Sequence, residues 1–540
     1  MVDNFKLPIE YHSKQLSPIV ISDLELDTCY THLFEDSLLK NKWIMNYTTN
    51  KDFLMDSQTL IKSYDTPLVD LSVYNSMYDD FKSETNFIDK YQYIPFKALL
   101  ALNTSIPFMQ LLSYYNLSSP VLSLAGPFFI LILPFFVFKS KGINITFSDY
   151  FKTLGEIMQN YNVFKLFDSS SNINQKISAL VSVIFYCFQF YQNVISCASF
   201  YVNMHSISGF IETYKEYLYK GIQLINSVKS QMLPYTSYDS FIDNMDAHMD
   251  NINICLARIN TILSGSNSLL KLSQIGNLMA TYYELYHDEL FDMSFKYIFD
   301  LNEYNNDIHK LSTLLSSKTI NPCVYTKKSS SIKDSYYLPY VSTERITNTI
   351  SLKDNILITG PNASGKTTTI KSILINLIMG QQFGMGCYRK ASISVYDYFH
   401  SYLNIPDTSG RDSLFQAEAR RCKDILQFIT AHHDKKHFCI FDEIYSGTNP
   451  NDATKCAKIY LKGLSKLDNL NFIITTHYTD LCKYFDSNET YKNIVNHHMD
   501  VIKESDVFTY TYKYKQGIST VHGGEQILRE LEYPEYLFNL

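Results

Sequence analysis

Asn355-Ile-Leu-Ile-Thr-Gly360-Pro-Asn-Ala-Ser-Gly365-Lys-Thr-Thr368 is the stretch that decides the fold of this chain. Its first five residues have the composition of a short buried strand, and Thr368 to Met379 reads as a helix. Between them lies GxxxxGK[ST] in the setting that gives the pattern meaning: strand, glycine-bounded loop, helix. Such a loop turns backbone N–H groups onto phosphate oxygens, and the helix N-terminus adds partial positive charge. Gly360, Pro361, Asn362, Ala363, Ser364, Gly365 and Thr368 are therefore expected to cradle the phosphates of ATP. Lys366 is expected to bridge the β- and γ-phosphates, and Thr367 to ligate Mg²⁺.

Working outward, Phe438-Cys-Ile-Phe441 is a second apolar strand, and it ends in Asp442-Glu443. Asp442 is placed to hold Mg²⁺ and Glu443 to orient or deprotonate an attacking water. A third apolar run, Ile473-Ile-Thr-Thr476, delivers His477, which is suited to a hydrogen bond with the γ-phosphate. Strands alternating with helical stretches imply an α/β P-loop NTPase domain at the C-terminus, over 335–540. The implied chemistry is Mg²⁺-dependent ATP hydrolysis.

The rest of the 540 residues is globular in composition, 46% hydrophobic and 19% charged. A net charge of -7 lacks the basic excess of a dedicated nucleic-acid binder. Ten cysteines without a CxxC pair suggest neither a zinc site nor a disulfide framework, and point to a reduced, intracellular compartment. No signal peptide is recognisable at the N-terminus. Residues 1–95 carry no assignable chemistry. Within 96–142, Pro120 to Phe138 is uncharged and is followed by Lys139 and Lys141. Two readings stand for it: contact with a membrane, or a buried helix or hairpin broken at Pro127 and Pro134. Residues 143–325 are proline-poor and read as long helices, with Leu278, Tyr282, Leu285, Tyr286 and Leu290 on one face. Thr326 to Asp334 reads as a linker or surface loop.

The phosphate loop, Asp442-Glu443 with Ser446-Gly-Thr-Asn-Pro-Asn-Asp452, and Thr476-His477-Tyr478 together resemble the MutS ATPases, a branch of the ABC class. Ser413-Leu-Phe-Gln-Ala-Glu418 resembles the family's signature stretch. The resemblance implies a homo- or heterodimer paired through the ATPase domains. It implies that Ser413 reaches the partner's γ-phosphate in trans, that Asp452 lies near the dimer seam, and that Asn348 belongs to the nucleotide site. It also implies a closing segment in which Gly523-Gly524 precedes a helix, and a helical region comparable to the MutS core and lever. Action on DNA follows from kinship. Asp412, inserted before Ser413, and the lack of room for an N-terminal mismatch-reading domain depart from the pattern; the mid-chain Phe210-Ile-Glu212 is no substitute for that domain's wedge. The other reading is a membrane-associated MutS-like ATPase with a role outside repair. An ABC transporter subunit is disfavoured, because Ser413 does not sit in an LSGGQ-type stretch.

Overall fold

The computed structural model describes residues 5–158, 172–263, 272–340, 345–403, 405, 413–504, 507–519, 521, 533–534 and 537. Asp412 and the Gly523-Gly524 segment lie outside them. The chain forms two compact units. One comprises Met1–Val69, Leu224–Ala247 and Tyr297–Leu540; the other comprises Asp70–Gln223 and His248–Lys296. This differs from the linear division expected at 95, 142 and 325, because the first 69 residues pack with the C-terminal domain.

The first unit begins with a ribbon of β1 (Ser13–Gln15) and β2 (Asn46–Thr48). Then follow β3 (Asn321–Thr326), β4 (Ser331–Ser335), β5 (Asn348–Ser351), β6 (Asn355–Thr359), β7 (Met385–Gly386), β8 (Lys390–Ser394) and β9 (Tyr398–Tyr402). The series ends with β10 (His437–Asp442), β11 (Leu470–Thr476), β12 (Ile494–Glu504) and β13 (Val507–Gln516). Thr326 to Asp334 is thus mostly strand, with the turn confined to 327–330: Ile332 alternates into the core with polar neighbours, and pairing with β8 outweighs the polar composition.

Six strands form a sheet in the order β13-β12-β6-β11-β10-β9, parallel from β12 to β9, with β13 antiparallel at the edge. The other five form a mixed sheet, β5-β4-β8-β3-β7. The helix Lys366–Gly380 contacts both sheets, which explains its nearly continuous burial from Thr369 to Gly380. A helix covered on all sides needs apolar residues around its whole circumference, and Ile370, Ile373, Leu374, Leu377 and Ile378 supply them. It starts at Lys366, two residues earlier than its composition suggests.

The N-terminal 69 residues are tied to this core by polar groups that find partners only across long sequence separations. Gln381 and Gln382, both buried just past the helix, donate to the carbonyls of Thr48 (3.1 Å) and Asn46 (2.9 Å). Asp23 accepts from Ser401 Oγ at 2.6 Å, Lys371 pairs with Glu25 at 2.9 Å, and Lys14 pairs with Asp397 at 2.7 Å.

In the same unit Asp307 is fully buried, and its Oδ2 accepts from Ser37 Oγ (2.8 Å) and Trp43 Nε1 (3.0 Å). Burial pushes its carboxyl up to about 7. A carboxyl whose folded pKa is raised favours the folded state while protonated, and that contribution is lost as pH rises from the ordinary carboxylate range through about 7. Thermal melts should therefore show stability falling by on the order of 2 kcal/mol between pH 5 and pH 7 from this group. Asp307→Asn should flatten that slope; an unchanged slope would assign it elsewhere.

The second unit is helical, built from Ile106–Ser140, Phe147–Met158, Ile275–His287 and parts of Ile173–Met232, Asp239–Leu263 and Glu289–Ser316. Aromatic packing fills its core: Tyr217 stacks on Phe295, and Phe210 sits 4.3 Å from Phe81, so the Phe210-Ile-Glu212 sequence is core packing. Leu278, Tyr282 and Leu285 share a buried face as expected. Leu290 belongs to the next helix, because the chain breaks at Asp288, whose carboxylate accepts from Leu290 N at 2.9 Å.

Candidate functional site

Parallel strands β6, β10 and β11 lie side by side, so all three release their chains at the same edge of the sheet. The Gly360–Gly365 loop follows β6, Asp442-Glu443 closes β10, and His477 follows β11. The loop's turn requires left-handed backbone at Ala363 (φ 63°) and Gly365 (φ 91°). A Cβ on Gly365 would also come within 3.1 Å of the Tyr512 ring, so both conformation and space favour glycine there.

Lys366 is buried, and its Nζ donates to the carbonyls of Gly360 (3.1 Å) and Pro361 (3.2 Å), 3.4 Å from Glu443 Oε1. Thr367 Oγ1 donates to Asp442 Oδ2 at 2.7 Å. The other Asp442 oxygen accepts from Thr475 Oγ1. Glu443 takes a left-handed φ of 50°, with its N–H on the Thr475 carbonyl at 3.1 Å. Holding a non-glycine residue there costs about 1–2 kcal/mol. His477 Nδ1 stands 3.7 Å from Glu443 Oε2. The adjacent His477 imidazole and the Lys366 ammonium hold the Glu443 carboxyl below its ordinary range, against the opposing effect of burial.

Lys366, Thr367, Asp442 and Glu443 open on a cavity of about 720 Å³ lined also by the loop and a wall containing Tyr336, Tyr337, Tyr340, Arg345 and Tyr512, with His477 behind Glu443 and outside that lining. The Arg345 guanidinium lies 4.8 Å over the Tyr336 ring. That aromatic wall escaped the sequence reading, since tyrosine is abundant throughout and marks nothing by itself. Thr475 also escaped it; its position next to the polar end of β11 was the available signal. Asn348 lines the cavity, but its amide is committed to β13: Nδ2 donates to the Tyr512 carbonyl at 3.0 Å, and Oδ1 accepts from Tyr514 N at 2.8 Å. In this conformation it fastens the wall to the edge strand.

Ser413 is elsewhere. It is exposed, and it caps the helix Leu414–Ala431 through a reciprocal box with Gln416. Asp452 lies in the first turn of Pro450–Leu464, where Asn449 caps it through Asp452 N. On the first of these helices, buried Glu418 accepts from Ser446 N (3.1 Å), Ser446 Oγ (2.8 Å) and Gly447 N (3.1 Å) in the loop that leads into the second. Glu418→Ala would strip three donors of their partner, so it should destabilise the fold by about 2–4 kcal/mol. Glu418→Gln should cost less. Equal melting of the alanine variant and the wild type would show that water replaces the carboxylate.

Fold and site together define an α/β domain with a glycine-bounded anion cradle after strand β6 and paired carboxylates at the end of β10, one strand removed from it across β11. The family model for MutS domain V matches residues 356–539, so it is this C-terminal domain that belongs with the MutS family. It is 29% identical over 177 residues to "Endonuclease MutS2" of Staphylococcus carnosus, a match covering 32% of this chain and 22% of that protein. It is 27% identical over 189 residues to "DNA mismatch repair protein MutS" of Bacillus thuringiensis, covering 34% of this chain and 20% of that one. The chain therefore spans about a fifth of the length of the curated relatives it matches.

Proposed function

We propose that the chain binds ATP with Mg²⁺ in the Gly360–Thr368 cradle, hydrolyses it, and uses the cycle to switch a pair of such domains acting on DNA. One observation carries the reading: the Lys366 ammonium, the Thr367 hydroxyl and the Asp442 and Glu443 carboxylates converge on one cavity. Two features fit a polyphosphate with its metal. The buried Ser364 hydroxyl has no partner among the described residues, and Thr367 and Asp442 offer the hard oxygen donors that Mg²⁺ prefers. When bound, Mg²⁺ neutralises charge on the β- and γ-phosphate oxygens.

The protein's own groups do the rest. Lys366, freed from the loop carbonyls, holds phosphate oxygens. Thr475 fixes the Asp442 carboxylate, and Glu443, kept ionised by His477 and Lys366, orients a water and accepts its proton. Ser413, exposed at a helix start and outside its own cavity, is available to a partner's phosphate. The DNA role rests on the names of the MutS and MutS2 relatives. Reading mismatches unaided is not part of the proposal.

Steady-state hydrolysis by the full chain, with and without duplex and branched DNA, tests both halves. Mg²⁺-dependent turnover stimulated several-fold by DNA is expected. No ATP binding would defeat the nucleotide assignment. Turnover indifferent to saturating DNA would defeat the DNA assignment alone.

A further inference from the structure

The second unit carries a two-helix hairpin whose apolar surface is largely left uncovered by the described residues, apart from Phe135, which packs against Phe147 and Tyr150. Ile106–Ser140 runs outward and bends by 81° between its Ile106–Gly126 and Leu131–Ser140 parts. The first half of Ile173–Met232 runs back alongside it. Tyr186 Oη donates to the Ser123 carbonyl at 2.8 Å, and Cys197 Sγ to that of Leu117 at 3.5 Å, which sets the antiparallel register. At its base the hairpin is anchored by Gln110, which accepts from Gly276 N at 2.8 Å and donates to the Leu272 carbonyl at 2.7 Å. There the backbones approach so closely that a Cβ on Gly276 would lie 2.4 Å from Gln110 N.

The returning helix changes character along its length. From Met204 onward it buries one face, through Ile207, Ile211, Tyr214, Leu218 and Ile225, as a soluble amphipathic helix does. Before Phe200 its most apolar 18-residue window is buried at none of its positions. Val181, Phe185 and Phe188 are 58%, 68% and 57% exposed. On the outgoing helix, Val121, Leu124, Phe128, Phe129 and Leu133 are exposed as well. Isolated exposed apolar residues are ordinary, whereas a contiguous surface of this extent is a contact surface.

We propose that this hairpin is buried in the hydrocarbon of a lipid bilayer. Charge, length and end markers select that occupant over a second protein surface. No Asp, Glu, Lys or Arg occurs between Lys97 and Lys139, or between Lys176 and Glu212; the polar side chains of the returning stretch, such as Gln189 and Gln192, are neutral. Protein contact faces seldom exclude charge from two whole helices, rims included, whereas a bilayer core excludes it everywhere. From Lys176 to Tyr201 the helix covers about 37 Å, enough to cross a hydrocarbon layer of about 30 Å. Its ends carry interfacial residues: Lys176 at one, and at the other Tyr201, which the register places level with exposed Tyr114 and Tyr115. The assignment is independent of the nucleotide site.

The test uses the full chain with a nitroxide on Cys187, which is exposed in the middle of the stretch, and with Cys197 and Cys456 replaced by serine. Mixed with phosphatidylcholine vesicles, it should float with the lipid. Its label should relax strongly with oxygen, which concentrates in hydrocarbon, and weakly with a water-soluble nickel chelate. The double variant Val181→Asp, Phe185→Asp should partition at least 100-fold less while melting like the parent, because both positions are already exposed. Three outcomes would overturn the proposal: a label open to both reagents, meaning water; a label shielded from both, meaning a second copy covers the face; or a double variant that floats as well as the parent.

Discussion

Glu443→Gln should lower steady-state ATP hydrolysis by about 10²–10³-fold while leaving ATP affinity within a few-fold of the parent. The amide preserves shape but cannot accept a proton, and general-base catalysis of this kind contributes factors of about 10²–10⁴. Affinity should survive because phosphate binding rests on Lys366 and the loop. Removing the acidic partner 3.4 Å from Lys366 also frees that ammonium, so binding should tighten if it changes. The variant should accumulate in the ATP-bound, paired state, visible as a larger species in sedimentation with ATP. Turnover at the parental rate would remove Glu443 from the role of base.

The same residue sets a pH dependence. His477 and Lys366 hold the Glu443 carboxyl below its ordinary range, so it stays ionised, and hydrolysis should persist, as the pH falls toward that range. Removing the first of these influences with His477→Ala should raise the carboxyl and move the acid limb of turnover to higher pH. An acid limb that stays in place would show that His477 does not tune the base.

Lys366→Ala should weaken ATP binding by about 100-fold or more, equivalent to about 2.7 kcal/mol. A charge-assisted contact to phosphate is among the stronger single polar interactions, and this ammonium is buried, where water screens it little. The readout is the rise in melting temperature on adding MgATP, since stabilisation follows RT ln(1 + [L]/Kd). The parent should shift by several degrees and the variant hardly at all. Lys366→Ala also leaves the Gly360 and Pro361 carbonyls without their donor, so its melting point without nucleotide must be measured alongside. A full MgATP shift in the variant would place the phosphates outside this loop.

The ends of β6, β10 and β11 could be read from sequence because each is a local pattern: an apolar run, a glycine or a carboxylate, and a helix start. The phosphate loop has the additional constraint that few residues tolerate its left-handed positions, so its glycines announce it. The aromatic wall of the cavity, the support of Asp442 by Thr475, and the clamp of Glu418 on Ser446 and Gly447 had no such signature. Each joins residues that are ordinary in their own neighbourhoods, and only the folded chain brings them within hydrogen-bonding distance. Thr326 to Asp334 went wrong for the same reason: its polarity was visible locally, whereas its pairing with β8 was not.

By itself, then, the sequence determined the strand–loop–helix core, the residues facing the cavity from the sheet edge, and the helical nature of the middle of the chain. These depend on neighbours a few positions apart. Tertiary structure alone decided that the first 69 residues complete the C-terminal unit, through buried groups such as Gln381 and Gln382 whose partners lie more than 300 positions away. It also showed that much of the apolar segment lies exposed among the described residues, which the sequence left open. Hydropathy cannot tell a core helix from one that faces outward, since burial depends on what the rest of the chain places against it. Here the rest of the described residues place little against the hairpin.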